Sequence, residues 1–181
     1  FDFPVRLNAV TRSYFERVLP TEEGVVAEAI RQLLAGNVHD KALAPLTERP
    51  PFNAQIRTTC VTTLLEAGHA ENALPQTAKA TVNCRILPDQ SVDDVAAALT
   101  RVIADPKVKI VPVGKPVLSP PSPLNPEVMS AVESISGEMW PGVPVTPTMS
   151  GGYTDSRWLR NAGIASYGVS GLFSDPGKSG V

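Results

Sequence analysis

Residues 56–65 and 77–87 are both dense in Thr and Val and flank a segment holding Gly68, Asn72 and Pro75, which constrains the middle of the chain to an antiparallel hairpin with a long turn. A lone hairpin is marginal in water and needs a helix or further strands against one face. Downstream, Ser91-Val92-Asp93-Asp94 has the form of a capping box with Asp in the place of Glu, and Val95, Leu99, Val102 and Ile103 follow on one helical face. Residues 107–113 then alternate Val or Ile with polar residues, as a further strand does. Upstream, Thr21 is the expected N-cap of a helix carrying Val26, Ile30, Leu33 and Leu34 on one face and stopped by Gly36. Residues 37–52 are polar and proline-rich, and an irregular connection is expected there.

The resulting order is helix, strand, strand, helix, strand. One more strand in front would complete a βαββαβ ferredoxin-like sandwich, an α+β fold in which two helices cover one sheet face. Residues 1–7 are the expected approach to that missing strand. The proline-rich residues 114–126 are expected to be extended and to separate residues 1–113 from a second unit, 127–181. In that unit Asn125 caps a helix with Pro126 at its first position and Val128, Val132, Ile135 and Met139 as the expected buried stripe. Residues 144–149 and 164–169 are expected strands, with a short helix over 154–161 closed by Gly163. This alternation is that of part of an α/β layer.

A net charge of -2, without a basic stripe, argues against a nucleic-acid partner. No apolar run approaches the ~20 residues that span a bilayer. A soluble chain is therefore expected, with cytoplasmic, periplasmic and secreted locations all open. Phe1 in place of Met and the Gly-containing end Lys178-Ser179-Gly180-Val181 read as cuts in a longer protein. Cys60 and Cys84 fall on the two hairpin strands; two buried free thiols are the expectation, with a cross-strand bridge as the alternative.

Few residues carry chemistry. Two histidines and two cysteines, with no HExxH or CxxC, are too few for a hydrolytic metal site, so no metal ligands are expected in this chain. His39 reads as a solvated loop residue. His69 and Asn72 lie in the hairpin turn, where they either bond the loop backbone or reach a ligand. Arg85 interrupts an apolar strand and needs either a protein carboxylate or a substrate carboxylate, which a guanidinium grips with two parallel bonds. Ser150-Gly151-Gly152-Tyr153-Thr154-Asp155-Ser156-Arg157 leads from an expected strand into a helix, a setting that permits close backbone approach to a ligand.

In order and spacing, Asn72-Ala73-Leu74-Pro75, Val82-Asn83-Cys84-Arg85-Ile86-Leu87-Pro88, Gly151-Gly152-Tyr153-Thr154-Asp155-Ser156-Arg157, Ala162-Gly163-Ile164 and Tyr167-Gly168 resemble the later part of the two-zinc peptidases, the family of glutamate carboxypeptidase, aminoacylase, carnosinase and succinyl-diaminopimelate desuccinylase. The resemblance implies a metallopeptidase or amidohydrolase with two zinc ions per full-length subunit, none of them bound by this fragment, and an inserted ferredoxin-like lid through which it forms a homodimer. It further implies a small peptide or N-acyl amino acid as substrate, Asn72 contacting it across the dimer, Arg85 binding its carboxylate, and Gly152 with Tyr153 lining the cleft. Tyr153 stands where some relatives have a small or hydroxylated residue. A non-catalytic ferredoxin-like module that binds a ligand or pairs with itself is the alternative.

Overall fold

A cluster of α-helices precedes the hairpin, and it holds most of the buried side chains among the described residues. The structure is a computed structural model that describes residues 1–150, 152 and 154–170; Gly151, Tyr153 and the end Lys178-Ser179-Gly180-Val181 lie outside the described residues. Helix α1 (Ala9–Val18) is followed by a 3-10 turn (Leu19–Thr21), α2 (Gly24–Leu34), α3 (Asp40–Thr47) and α4 (Pro50–Ile56). Then come strands β1 (Thr59–Ala67) and β2 (Ala78–Arg85), α5 (Val92–Ile103), α6 (Pro126–Met139) and α7 (Ser156–Asn161). The class is α+β, as expected.

Local chemistry accounts for the helix starts. Asn8 and Thr11 form a reciprocal capping box at α1, each backbone N–H donating to the other's side chain at 3.0 Å. The expected helix over Thr21 to Gly36 exists as α2, but Thr21 is drawn into the preceding 3-10 turn by Pro20, and Glu23 takes the N-cap position without a side-chain bond. Gly36 ends α2 at φ +82°, and Asn37 N–H reaches back to Gln32 O at 2.9 Å.

Residues 37–52, expected to be irregular, instead contain α3 and the start of α4. Prolines concealed them. Pro50 and Pro51 occupy the first helical positions, where a missing N–H costs nothing, and Pro45 is tolerated in α3 because Leu43 and Leu46 are fully buried. Phe15, Val26, Ala29, Ile30, Leu33, Leu43, Leu46, Phe52 and Ile56 form one core, with the Phe15 and Phe52 rings 5.9 Å apart. The expected strand start at Ile56 fails because that side chain closes α4 into this core.

The hairpin forms largely where expected, with Thr59 opposite Arg85 and Ala67 opposite Ala78, and a register shift between Thr62 and Leu64. A second, smaller cluster of Phe3, Val95 and Ala98, packed with Cys60, Cys84, Ile86 and Leu99, attaches its base to α5. The α5 capping box is present, and its hydrogen bonds with Ser91 hold the Asp94 carboxyl below the usual carboxylate range. The expected strand over 107–113 is not formed; those residues are exposed and irregular, so the described sheet has two strands.

Asn125 caps α6, accepting from the N–H groups of Glu127 and Val128. Its expected buried stripe is not buried: Val128 and Val132 are half-buried, and Ile135 and Met139 are exposed, because no described element covers that face. The expected strands over 144–149 and 164–169 are not formed. Side chains stitch residues 118–123 to this region instead: Arg160 Nε donates to Ser119 Oγ at 2.8 Å, Ser122 Oγ bonds both Ser166 N–H and O, and Tyr167 OH donates to Pro123 O at 2.7 Å.

If the helical cluster is the core, Leu33→Ala should cost about 3 kcal/mol of unfolding free energy, since it empties a fully enclosed site. Val25→Ala, one turn from the same core but mostly exposed, should cost under about 0.5 kcal/mol. Urea denaturation followed by circular dichroism at 222 nm measures both.

Candidate functional site

The base of the hairpin is fixed by three devices. Cys60 and Cys84, directly opposite in register, form a disulfide, which corrects the expectation of two free thiols. Cross-strand pairing brings their Cα atoms to 4.1 Å, and burial against Phe3 and Val95 alone does not require bonding, so the sequence left the pair open. Secondly, the buried Thr58 hydroxyl accepts from Leu87 N–H at 3.1 Å and donates to buried Gln90 Oε1. Both sides of the strand exit are thereby satisfied in a place without water, where an unmade bond would cost roughly 1–3 kcal/mol. Thirdly, the buried Arg57 guanidinium, at the end of α4, meets Asp40 at 2.8 Å and Asp2 at 3.6 Å and ties the start of the chain to α3.

Above this base the strands are wet on both faces. Val61, Leu64, Leu65 and Val82 are exposed, and Leu74 in the turn is 89% exposed. Arg85 lies at the base, beside Thr59, while His69 and Asn72 lie in the turn beyond Ala67, roughly 26 Å away at about 3.3 Å per strand residue. Within one chain these three residues are therefore not brought together. Arg85 is exposed and makes no ion pair among the described residues, so the protein-carboxylate reading of this residue finds no support here. His69 and Asn72 share the exposed turn, whose own backbone bond runs from Ala73 N–H to Ala70 O at 3.4 Å. His39 is exposed at the start of α3, as a solvated loop residue should be.

Gly152 N–H donates to Ser150 Oγ at 3.1 Å, and a Cβ on Gly152 would lie 3.2 Å from that oxygen. A side chain at Gly152 would therefore crowd the Ser150 hydroxyl. Tyr153 is not described. Residues the sequence reading passed over hold the approach to this loop: Gln55 on α4 and Arg17 on α1, both bonded to the main chain of residues 145–149. No periodicity marks a buried Gln whose partner is backbone 94 residues away.

Residues 12–111 match the family model of the peptidase dimerisation domain. The chain belongs to the M20 peptidase family. It is 33% identical over 117 residues to probable carboxypeptidase S-like 2 of Dictyostelium discoideum, covering 64% of this chain and 22% of that protein. It is 36% identical over 118 residues to the N-fatty-acyl-amino acid synthase/hydrolase PM20D1 of Xenopus tropicalis (62% of this chain, 22% of that protein) and 35% over 138 residues to the same protein of Homo sapiens (71% and 26%). This M20 chain thus spans about a quarter, or less, of the length of these relatives. No solved structure matches it.

Alkylation with iodoacetamide under denaturing conditions should find no free thiol in the oxidised chain and two after a dithiol reductant. Closing the 24-residue separation stabilises the hairpin base by about 3 kcal/mol, so a Cys60→Ser/Cys84→Ser variant should be cut by trypsin at Arg85 well before the oxidised parent is.

Proposed function

We propose that this chain supplies the dimerisation lid, residues 1–113, and a piece of the catalytic domain, residues 127–181, of a two-zinc hydrolase that cuts an amide or peptide bond beside a substrate carboxylate. The observation that carries the reading is Arg85, an exposed guanidinium without an ion pair among the described residues, on the hairpin of a peptidase dimerisation domain. Five rigidly disposed donors and a permanent charge suit it to a carboxylate, which it holds through two parallel bonds. The names of the relatives favour N-acyl amino acids, because such a substrate presents one free carboxylate next to the amide to be cut.

The hairpin geometry supports a dimeric site. One chain keeps Asn72 and His69 far from Arg85, so a substrate held at one base would meet the turn of a second copy. In this reading Asn72, with His69 nearby, contacts substrate across the homodimer, and Gly152 and Tyr153 line the cleft. Exposed strand edges on β1 and β2 are the natural pairing surface for that second copy.

The zinc ions belong to other parts of the longer protein. Among the described residues no group of three or more His, Cys, Asp or Glu is placed to hold a metal, so these residues do not fit a zinc centre. Nor is any described helix long and apolar enough to cross a membrane. On this reading the chain alone hydrolyses nothing, and what it contributes is recognition.

In the full-length hydrolase, Arg85→Ala should lower kcat/KM for an N-acyl amino acid by roughly 10- to 100-fold, mainly through KM, as expected for a lost charge-assisted pair. Hydrolysis of the matching N-acyl amine, which lacks the carboxylate, should not change. Equal losses on both substrates would remove Arg85 from carboxylate recognition.

A further inference from the structure

Residues 145–149 form neither helix nor strand, yet their backbone is gripped from the helical unit. Gln55 Nε2 donates to Met149 O at 2.8 Å, and Met149 N–H donates to Gln55 Oε1 at 3.1 Å. One side-chain amide thus exchanges both bonds with one residue, as a neighbouring strand does in a hydrogen-bonded antiparallel pair. Arg17 Nη1 donates to Val145 O at 2.9 Å while pairing with Glu133 of α6, and Asn8 Nδ2 lies 3.3 Å from Met149 Sδ.

Gln55 is 7% exposed, and burying a carboxamide without partners costs several kcal/mol. Met149 satisfies both of its polar atoms. The grip is specific for position and indifferent to side chain, because Gln55 reads only the main chain. The next residue, Ser150, is the one whose hydroxyl receives Gly152 N–H, so the orientation of peptide 149 is handed directly to the glycine loop.

From this geometry we infer that Gln55 is a positioning residue that fixes where the Gly152 loop begins. The inference rests on the proposed function for its catalytic meaning, since that reading places Gly152 in the cleft; the clamp itself does not depend on it. It also couples the two units of the chain: α4, which leads into the hairpin, cannot shift without carrying the start of the loop with it.

The test uses the full chain, 15N-labelled, with Met149 amide exchange and the Gly152 amide resonance as readouts. Gln55→Ala should speed exchange at Met149 at least about fivefold and move the Gly152 resonance, with Ile30 and Leu33 in α2 unaffected. Gln55→Glu retains the acceptor for Met149 N–H but loses the donor to Met149 O, so Met149 should stay slow while Gly152 still moves. Unchanged Met149 and Gly152 in Gln55→Ala would overturn the inference, as would acceleration at Met149 that leaves Gly152 in place or a general acceleration that includes α2. Absence of amide hydrolysis by the full-length protein would instead sink the proposed function and leave these readouts intact.

Discussion

The hairpin between Thr59 and Arg85 is secured only at its base, and most of what the chain can do follows from that. A two-stranded ribbon with both faces in water does not hold itself together. The Cys60–Cys84 bond, the Thr58 hydroxyl between Leu87 and Gln90, and the small cluster of Phe3, Val95 and Ala98 pin its lower end. Beyond them Leu64, Leu65 and Leu74 stay in solvent. Such apolar exposure on paired but unflanked strands is the signature of a surface that another protein surface completes. Under the proposed function, that surface would be completed by a second copy or by further parts of the hydrolase.

The helical unit solves a different problem. Its core of Phe15, Ile30, Leu33, Leu43, Leu46 and Ile56 is closed on its own, which makes it the rigid body against which the exposed parts are referenced. It reaches the hairpin through Arg57 and Thr58, immediately after α4, and residues 145–149 through Gln55 and Arg17. The hairpin and residues 145–149, distant in sequence, are thereby registered to the same helix.

How much of this was legible in the sequence depended on whether the deciding interaction was local. The Ser91 and Asn125 caps, the Gly36 and Gly163 stops and the β-branched hairpin are written in neighbouring residues, and they were read correctly. Helices α3 and α4 were hidden because their prolines read as loop punctuation, while their reason to be helical, burial of Leu43, Leu46 and Ile56 against α2, is tertiary. The stripe on α6 is an amphipathic pattern that nothing among the described residues covers. Asn72 and His69 stand out by their place in the turn and Arg85 by interrupting an apolar strand, but their separation along the hairpin is visible only once the register is known. Gln55 had no sequence signal at all, because its partner is a backbone group.

The most direct test of the central claim, that the hairpin depends on protein beyond its own helical core, is hydrogen exchange by mass spectrometry on β1 and β2 in this chain at micromolar concentration and in the full-length hydrolase. Slow exchange of α2 to α4 is expected in both, with Val61 to Lys79 fast in the chain alone and protected in the full-length protein. Equal protection of that segment in both would show a hairpin stable by itself and contradict its dependence on further protein.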